Sequence, residues 1–274
     1  MSDAVDGTLL IIGGAEDKQG ECRILKEFIR LTEARGGGIV IMTAATQYPE
    51  KVSSEYINIF KRLGADKVLS LDISSRRQAQ RPETKEIILS AGGIFFTGGD
   101  QLRITGILGG TAADWALHEA YRRGTVIAGT SAGASVMSAT MIVGGDNDSP
   151  PQQSTISMGP GMGLVRGVVI DQHFAQRGRL GRLVAAVAQQ PATLGIGLDE
   201  DTAVVINSKG EMRVLGSQTV TIVDCYGCEH TNISEAEPRQ PLALTEIKVH
   251  ILPQGYGFDL QERRPILKDE DEAQ

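Results

Sequence analysis

Residues 125–139 read TVIAGTSAGASVMSA, and this stretch decides which fold the chain can adopt. Residues 125–128 form a short apolar run typical of a buried strand, and residues 134–139 read as the start of a helix. Between them, residues 129–133 match the pattern G-x-S-x-G, the strand-to-helix context that a nucleophile elbow requires. Its glycines allow a sharp turn that exposes Ser131, next to the free N–H groups of a helix start. The alternative is that Ser131 serves only as a helix cap.

The alternation of strands and helices extends outward from this turn through the first two thirds of the chain. It predicts right-handed crossovers and a mainly parallel sheet that is flanked by helices on both faces. After Thr193, shorter segments predict antiparallel strands that extend the sheet or cap its end. The fold class is therefore α/β, with residues 1–274 as one domain that ends in a disordered acidic tail at about 265–274. Predicted strands cover 9–12, 38–43, 67–71, 93–96, 125–128, 165–170, 194–198, 202–207, 211–215, 219–224, 245–251 and 255–259, and predicted helices cover 20–35, 49–63, 82–90, 101–123, 131–140 and 177–190.

Composition excludes several classes of function. The 27 basic and 34 acidic residues give a net charge of −7, so no overall cationic field would attract nucleic acid or an anionic membrane. Six Phe, five Tyr and one Trp are too few to suggest stacking platforms for single-stranded nucleic acid. The first apolar run, residues 9–12, is too short for a signal peptide or a membrane span. We therefore expect a cytoplasmic protein.

The cysteines predict neither disulfides nor a metal site. Cys22, Cys225 and Cys228 are too few for a disulfide framework. Cys225 and Cys228 have the spacing of a metal knuckle, and His230 follows them, but no second knuckle completes four ligands. We therefore interpret them as reduced thiols and predict no metal.

A serine nucleophile needs a base, and the chain has four histidines. His173 is the one that directly follows a predicted buried strand, at residues 165–170. That position places it on the same sheet edge as Ser131, and elimination of the others favours it. His118 and His250 lie on polar faces of a predicted helix and strand, and His230 lies in a polar run.

Two further segments supply groups that a serine hydrolase needs. Asp199, Glu200 and Asp201 follow a predicted strand, and any of the three would orient an imidazole. The order serine, histidine, acid is not that of the α/β-hydrolases. The glycine turn at 96–101 would offer backbone N–H groups that complete an oxyanion hole with Ala132, unless it is merely a tight turn.

Four segments together resemble the cyanophycinase family of serine peptidases, which also contains aspartyl dipeptidase. The similarity extends in order over about residues 8–260. It implies a fold related to class I glutamine amidotransferases, a homodimer and no metal or organic cofactor. The segments are IIGGAEDK at 11–18, FTGGDQL at 96–102, AGTSAGA at 128–134 and DQHF at 171–174. The implied residues are Ser131 as nucleophile, His173 as base, Glu200 as acid, and Gly99 and Ala132 as the oxyanion hole.

The resemblance also implies a substrate, the storage polymer cyanophycin, which is cut to β-aspartyl-arginine dipeptides. A substrate with carboxylates and guanidiniums needs a pocket with fixed charges of both signs. Residues 146–163 do not match the family pattern, so contacts from that loop are not carried over. One alternative is an aspartyl or isoaspartyl dipeptidase, which would not need the run Arg177, Arg179 and Arg182. The other is a binding scaffold without activity. The implied substrate contacts are Gln101, Asp171, Gln172, Arg177, Arg179 and Arg182.

Overall fold

The computed structural model describes residues 7–268 and contains two large sheets, one hairpin and eight α-helices within that range. The strands are β1 (Thr8–Ile12), β2 (Gly38–Met42), β3 (Val68–Leu71), β4 (Ala91–Phe96), β5 (Val126–Thr130), β6 (Thr140–Gly145), β7 (Ile156–Pro160), β8 (Val168–Gln172), β9 (Leu194–Leu198), β10 (Thr202–Ile206), β11 (Glu211–Gly216), β12 (Thr219–Asp224), β13 (Lys248–Pro253), β14 (Gly257–Asp259) and β15 (Arg264–Ile266). The helices are α1 (Arg23–Arg35), α2 (Pro49–Arg62), α3 (Arg76–Ala79), α4 (Pro82–Leu89), α5 (Gln101–Leu108), α6 (Ala112–Arg122), α7 (Ala132–Ser135) and α8 (Leu180–Gln189).

The larger sheet has nine strands in the order β15-β14-β11-β10-β1-β5-β4-β2-β3. Five of its strands run parallel to one another: β1, β5, β4, β2 and β3. The other four, β10, β11, β14 and β15, pair in antiparallel fashion, and β10 joins them to β1. Strand β1 is apolar on both faces, because Leu9 and Ile11 pack into one core and Leu10 and Ile12 pack into the other. The predicted α/β class, with its mostly parallel sheet and C-terminal antiparallel strands, is confirmed.

Helices α1 and α2 cover one face of this sheet through an aromatic cluster. The rings of Tyr56 and Phe95 are 4.7 Å apart between centroids, and Phe28 and Phe60 surround them. The other face is covered by α4, α5 and α6 and by the second sheet, whose Ile196 and other apolar residues join the same core. No helix among residues 7–268 combines the length and the apolar character needed to cross a bilayer.

The second sheet has the order β13-β12-β9-β8 and carries α8 on its outer face. This arrangement corrects the prediction that His173 lies on the same sheet edge as Ser131. Ser131 follows β5 of the nine-stranded sheet, whereas His173 follows β8 of the four-stranded sheet. An apolar run identifies a strand but does not specify which strands pair with it.

The structure also differs locally from the prediction. The helix expected at 131–140 is the single turn α7, after which the chain forms the unpredicted β6–β7 hairpin. The helix expected at 101–123 is interrupted by Gly109 and Gly110, and Thr111 caps α6. Residues 265 and 266 belong to β15 rather than to a disordered tail, because they pair with β14. Residues 269–274 of that tail lie outside the described range.

Candidate active site

Ser131 lies at the junction of β5 and α7 in a backbone conformation that L-residues seldom adopt, with φ 54° and ψ −110°. Its neighbours explain the glycines of the motif. A Cβ on Gly129 would lie 2.3 Å from the carbonyl oxygen of Gly133, and a Cβ on Gly133 would lie 2.5 Å from that of Phe96. The close approach of these backbone segments therefore requires both glycines.

A chain of hydrogen bonds joins Ser131 to an imidazole and a carboxylate. Ser131 Oγ is 3.1 Å from His173 Nε2, and His173 Nδ1 is 2.6 Å from Glu200 Oε1. The backbone N–H of His173 donates to the carbonyl oxygen of Gly13, at 2.8 Å, and so ties the second sheet to the end of β1. The geometry suits proton transfer from a serine to a base that a carboxylate orients.

The turn after β1 packs directly on the imidazole ring, and sequence reasoning assigned it no role. A Cβ on Gly14 would lie 2.4 Å from His173 Cε1, and Gly14 has φ +100°. Its carbonyl oxygen accepts from the N–H of Asp201, at 2.9 Å. The pair of glycines directly after the first strand was the available signal, because paired glycines often mark a close approach.

The three adjacent acids have different surroundings. Asp199 is buried and accepts hydrogen bonds from the N–H of Ala175, at 2.9 Å, and from Thr219 Oγ1, at 2.8 Å. Asp201 accepts from the N–H of Asp17, at 2.8 Å. Glu200 is the member of the three that contacts His173. Asp199 and Asp201 thus hold loops together, while Glu200 faces the imidazole.

The backbone N–H groups of Gly99 and Ala132, in the turns beside Ser131, have no acceptor among residues 7–268, and neither do those of the adjacent Gly98 and Gly133. Ala132 begins α7, where helical N–H groups lack an intrahelical partner. Gly99 has φ +146°, and a Cβ there would lie 2.3 Å from the carbonyl oxygen of Ala45. Both positions suit an oxyanion that would form at a carbonyl carbon attacked by Ser131.

The environment of His173 favours its neutral form. Burial is the largest effect and lowers the pKa of His173 below its ordinary value of 6.5. The hydrogen bond that His173 donates to Glu200 raises the pKa, and the positive charges of Arg177 and Arg179 lower it. A neutral imidazole is the form that can accept the proton of a serine.

This pKa shift predicts the pH dependence of hydrolysis. Because only neutral His173 can act as a base, kcat/KM should rise with pH and reach half its maximum on the acid side below pH 6.5. Arg177→Gln removes a charge that lowers the pKa, so it should move this limb to higher pH. The pH profiles of the two proteins check this. An acid limb above pH 6.5 in the unsubstituted protein would contradict the expected pKa shift.

Ser131 also lines a cavity of about 310 Å³ that is rich in arginine. We call it the arginine cavity. Gln172 lies in it, with Oε1 3.4 Å from Ser131 Oγ. Gln101 forms part of its wall and donates from Nε2 to the carbonyl oxygens of Ile142 and Val143, at 3.2 and 3.3 Å. The lining residues are Gly99, Gln101, Ser131, Ile142, Val143, Gly144, Gly145, Gln172, Arg177, Arg179 and Arg182.

The three arginines of this cavity are not equivalent. Arg182 and Arg179 are buried and pair with Asp171, with Arg182 Nε 2.6 Å from Oδ2 and Arg179 Nη1 3.3 Å from Oδ1. The pKa of Arg179 is lowered to about 10, chiefly by burial and also by the charges of Arg182 and Arg177, while Asp171 acts in the opposite direction. Arg177 is exposed and has no ion pair among the described residues. Asp171 itself is buried and does not line the cavity.

The segment that departs from the family pattern, 146–163, adjoins this cavity. Asn147 Oδ1 accepts from Arg179 Nε, at 3.1 Å. Strand β6, which immediately precedes this segment, supplies residues 142–145 of the cavity wall, and β7 within the segment pairs with β6. Sequence changes in residues 146–163 can therefore alter which ligands the arginine cavity binds.

The remaining candidate residues lie elsewhere. Burial raises the pKa of the Cys225 thiol to about 11, so the thiol is protonated near neutral pH. Within the range 7–268, no group of three His, Cys, Asp or Glu side chains is arranged to hold a metal ion. The ring of His250 packs against Phe258, with centroids 5.4 Å apart, instead of facing solvent. Its strand neighbours Val249 and Ile251 point outward, which reverses the predicted face.

Known proteins are similar to this chain in sequence and in fold. The sequence profile of peptidase family S51 matches residues 9–214. The chain is 41% identical to a cyanophycinase of Nostoc sp. over 261 residues, covering 95% of this chain and 88% of that protein. It is 36% identical to a cyanophycinase of Geminocystis herdmanii over 267 residues, covering 97% and 98%. The crystal structure of a peptidase from an acI-B1 actinobacterium has a similar fold, with a TM-score of 0.67 and 23% identity over 94% of this chain and 98% of that one. The chain is therefore a serine-type peptidase and belongs to peptidase family S51.

Proposed function

We propose that Ser131 is the nucleophile of this peptidase, with His173 as its general base and Glu200 as the acid that orients the imidazole. The observation that carries this proposal is the continuous chain of contacts, 3.1 Å from Ser131 Oγ to His173 Nε2 and 2.6 Å from Nδ1 to Glu200. Each contact lies within the range of a catalytic hydrogen bond. Glu200 would fix the tautomer and stabilise the imidazolium that forms.

The reaction proceeds in two steps. In the first, Ser131 Oγ bonds to the carbonyl carbon of the substrate while its proton passes to His173 Nε2, and the N–H groups of Gly99 and Ala132 bind the oxyanion. His173 then gives that proton to the leaving nitrogen as the carbon–nitrogen bond breaks. In the second step His173 takes a proton from water, whose oxygen bonds to the acyl carbon. The bond between that carbon and Ser131 Oγ then breaks, and His173 returns the proton to Oγ.

As substrate we propose cyanophycin, cut to β-aspartyl-arginine dipeptides. Two observations support it: the curated relatives named cyanophycinase match nearly the whole chain, and the arginine cavity adjoins the serine. Asp171 offsets one of the three arginine charges, which leaves an excess of positive charge for substrate carboxylates. Assembly as a homodimer and a cytoplasmic location stay predictions of the sequence.

One experiment distinguishes the candidate functions. The protein is incubated with purified aspartate–arginine polymer, and the soluble products are identified by mass spectrometry. Release of β-aspartyl-arginine is expected, and Ser131→Ala serves as the control for a contaminating peptidase. Cleavage of free aspartyl or isoaspartyl dipeptides, with the polymer left intact, would assign the protein to the dipeptidase alternative. Binding of polymer without any product would indicate a scaffold.

Arg177 gives the cleanest test of carboxylate binding, since Ala at Arg179 or Arg182 would also leave the buried Asp171 short of partners. Arg177→Gln should lower kcat/KM for the polymer by roughly 10- to 150-fold, the range that loss of one charge-assisted hydrogen bond produces. The measurement compares the polymer with a neutral ester substrate, which should lose much less. Arg77→Gln, at an exposed position on α3, is the matched control. Equal losses on ester and polymer would rule out a carboxylate contact at Arg177.

A further inference from the structure

A second cavity, of about 230 Å³, adjoins Ser131 and shares no other lining residue with the arginine cavity. We call it the α2 cavity, because Val52, Glu55 and Tyr56 of α2 form one wall. Its other lining residues are Ala15, Glu16, Lys18, Gly98, Thr130, Ser131 and His173. Sequence reasoning assigned no role to the residues of α2.

The floor of the α2 cavity is a fixed polar arrangement. Glu16 is buried, and its two carboxylate oxygens accept hydrogen bonds from Tyr56 and from Thr130 Oγ1, the latter at 2.6 Å. Burial and the neighbouring Glu16 raise the pKa of Tyr56 well above its ordinary value of 10, so its hydroxyl stays a donor. Each oxygen of Glu16 thus accepts a hydrogen bond from a neighbouring hydroxyl, which holds the carboxylate in place as part of the floor.

The rim carries one charge of each sign. Lys18 Nζ lies 3.0 Å from Glu55 Oε1, and the side chains of these residues are 30% and 48% exposed. Lys18 Nζ also lies 4.4 Å from the centroid of the Tyr56 ring. An exposed ion pair of this kind contributes little to stability. Lys18 and Glu55 can therefore separate and each pair with an opposite charge on a ligand, at a small cost in free energy.

The position of His173 determines which part of a substrate each cavity would hold. In peptide hydrolysis the base must return its proton to the leaving nitrogen, so the leaving group lies on the side of the imidazole. His173 lines the α2 cavity and is absent from the lining of the arginine cavity. Gly99, whose N–H would bind the oxyanion in the proposed mechanism, lines the arginine cavity.

We propose that the α2 cavity binds the leaving-group side of the substrate, and that this side is a zwitterionic unit. Lys18 would bind its carboxylate and Glu55 its guanidinium or other cationic group. This inference rests on the proposed function, in which each unit of the polymer carries both charges. The acyl unit then occupies the arginine cavity, and Ser131 lies between the two.

Lys18→Met and Glu55→Gln test the proposal with two substrates that share one acyl unit. One consists of two β-aspartyl-arginine units joined by a peptide bond, and the other is the methyl ester of a single unit. Each variant should lose about tenfold in kcat/KM on the two-unit substrate, the low end for a charge-assisted hydrogen bond. The loss on the ester should be much smaller, because methanol has no charge to bind. Lys26→Met, at an exposed position on α1, is the matched control.

A second measurement follows the acyl-enzyme directly. Free β-aspartyl-arginine is added during ester hydrolysis, so that its amine competes with water for the acyl carbon. Attack by the amine forms a carbon–nitrogen bond, releases Ser131 Oγ, and transfers the amine proton to Ser131 through His173. The unsubstituted protein should form measurable two-unit product, and Lys18→Met should lower the ratio of this product to hydrolysed acid.

The outcomes separate the two proposals. Equal losses on ester and two-unit substrate would place the α2 cavity on the acyl side, and no loss on either would show that it binds no part of the substrate. Both results would overturn the inference while the proposed activity stands. An unsubstituted protein that cleaves neither substrate would instead overturn the proposed function.

Discussion

Ser131→Ala is expected to lower kcat for polymer hydrolysis by about 10⁶-fold, as loss of the nucleophile does in other serine peptidases. In the proposed mechanism the hydroxyl forms the covalent intermediate, and its hydrogen bonds among residues 7–268 are with Gln172 and His173. The fold should persist, since alanine retains the Cβ and the same backbone conformation. Activity and the thermal unfolding midpoint, measured on the same sample, check both parts.

His173→Ala should be comparably damaging, because without the base the serine stays protonated. His118→Ala is the control, since its imidazole contacts the carbonyl oxygen of Met162 and lies outside both cavities. A Ser131→Ala protein within about tenfold of the original activity would remove Ser131 from the mechanism.

Glu200→Gln should lower kcat by about 10⁴-fold, the effect of the equivalent change to an amide in a well-studied catalytic triad. An amide favours the wrong tautomer of His173 and cannot stabilise the imidazolium. The side chain has nearly the same size, and Glu200 is partly exposed, so the unfolding midpoint should change little. Kinetics at saturating substrate, together with thermal unfolding, provide the measurement.

The neighbouring acids supply the comparison. Asp199→Asn should act mainly on stability, because Asp199 is buried and accepts from Ala175 and Thr219. Asp201→Asn should mainly destabilise the turn that contains Asp17, whose N–H donates to Asp201. If kcat falls furthest in either of these variants, the orienting role belongs to that residue and not to Glu200.

The sequence predicted the central strands well because they are buried on both faces and read as continuous apolar runs. Strand β1 and its neighbours on the parallel side are the clearest cases. The β6–β7 hairpin escaped prediction, since the periodicity after Ser131 continues as if a helix went on to residue 140. The buried face of strand β13 was predicted wrongly for another reason. Its exposed side chains, Val249 and Ile251, are more apolar than His250, which packs inward.

The structure brings Ser131, His173 and Glu200 together, but by strand pairings that the sequence did not indicate. His173 was selected by its place after a strand, although that strand belongs to a different sheet from β5. The contact that joins the two sheets runs between backbone groups of His173 and Gly13, which a side-chain pattern does not encode. The family resemblance implied the three arginines as substrate contacts, but the burial of Arg179 and Arg182 and their pairing with Asp171 depend on the fold.

The β6–β7 hairpin has a consequence for how specificity can diverge. It pairs with neither large sheet, yet it supplies residues 142–145 to the wall beside Ser131. Ser131 and His173 are held by backbone hydrogen bonds to Ile12 and Gly13, and Glu200 by one to Gln176, none of which involves the hairpin. Evolution could therefore lengthen, shorten or replace this hairpin, and so exchange one substrate for another, without rebuilding the chemistry. Connecting segments accept such changes far more readily than the elements that they join.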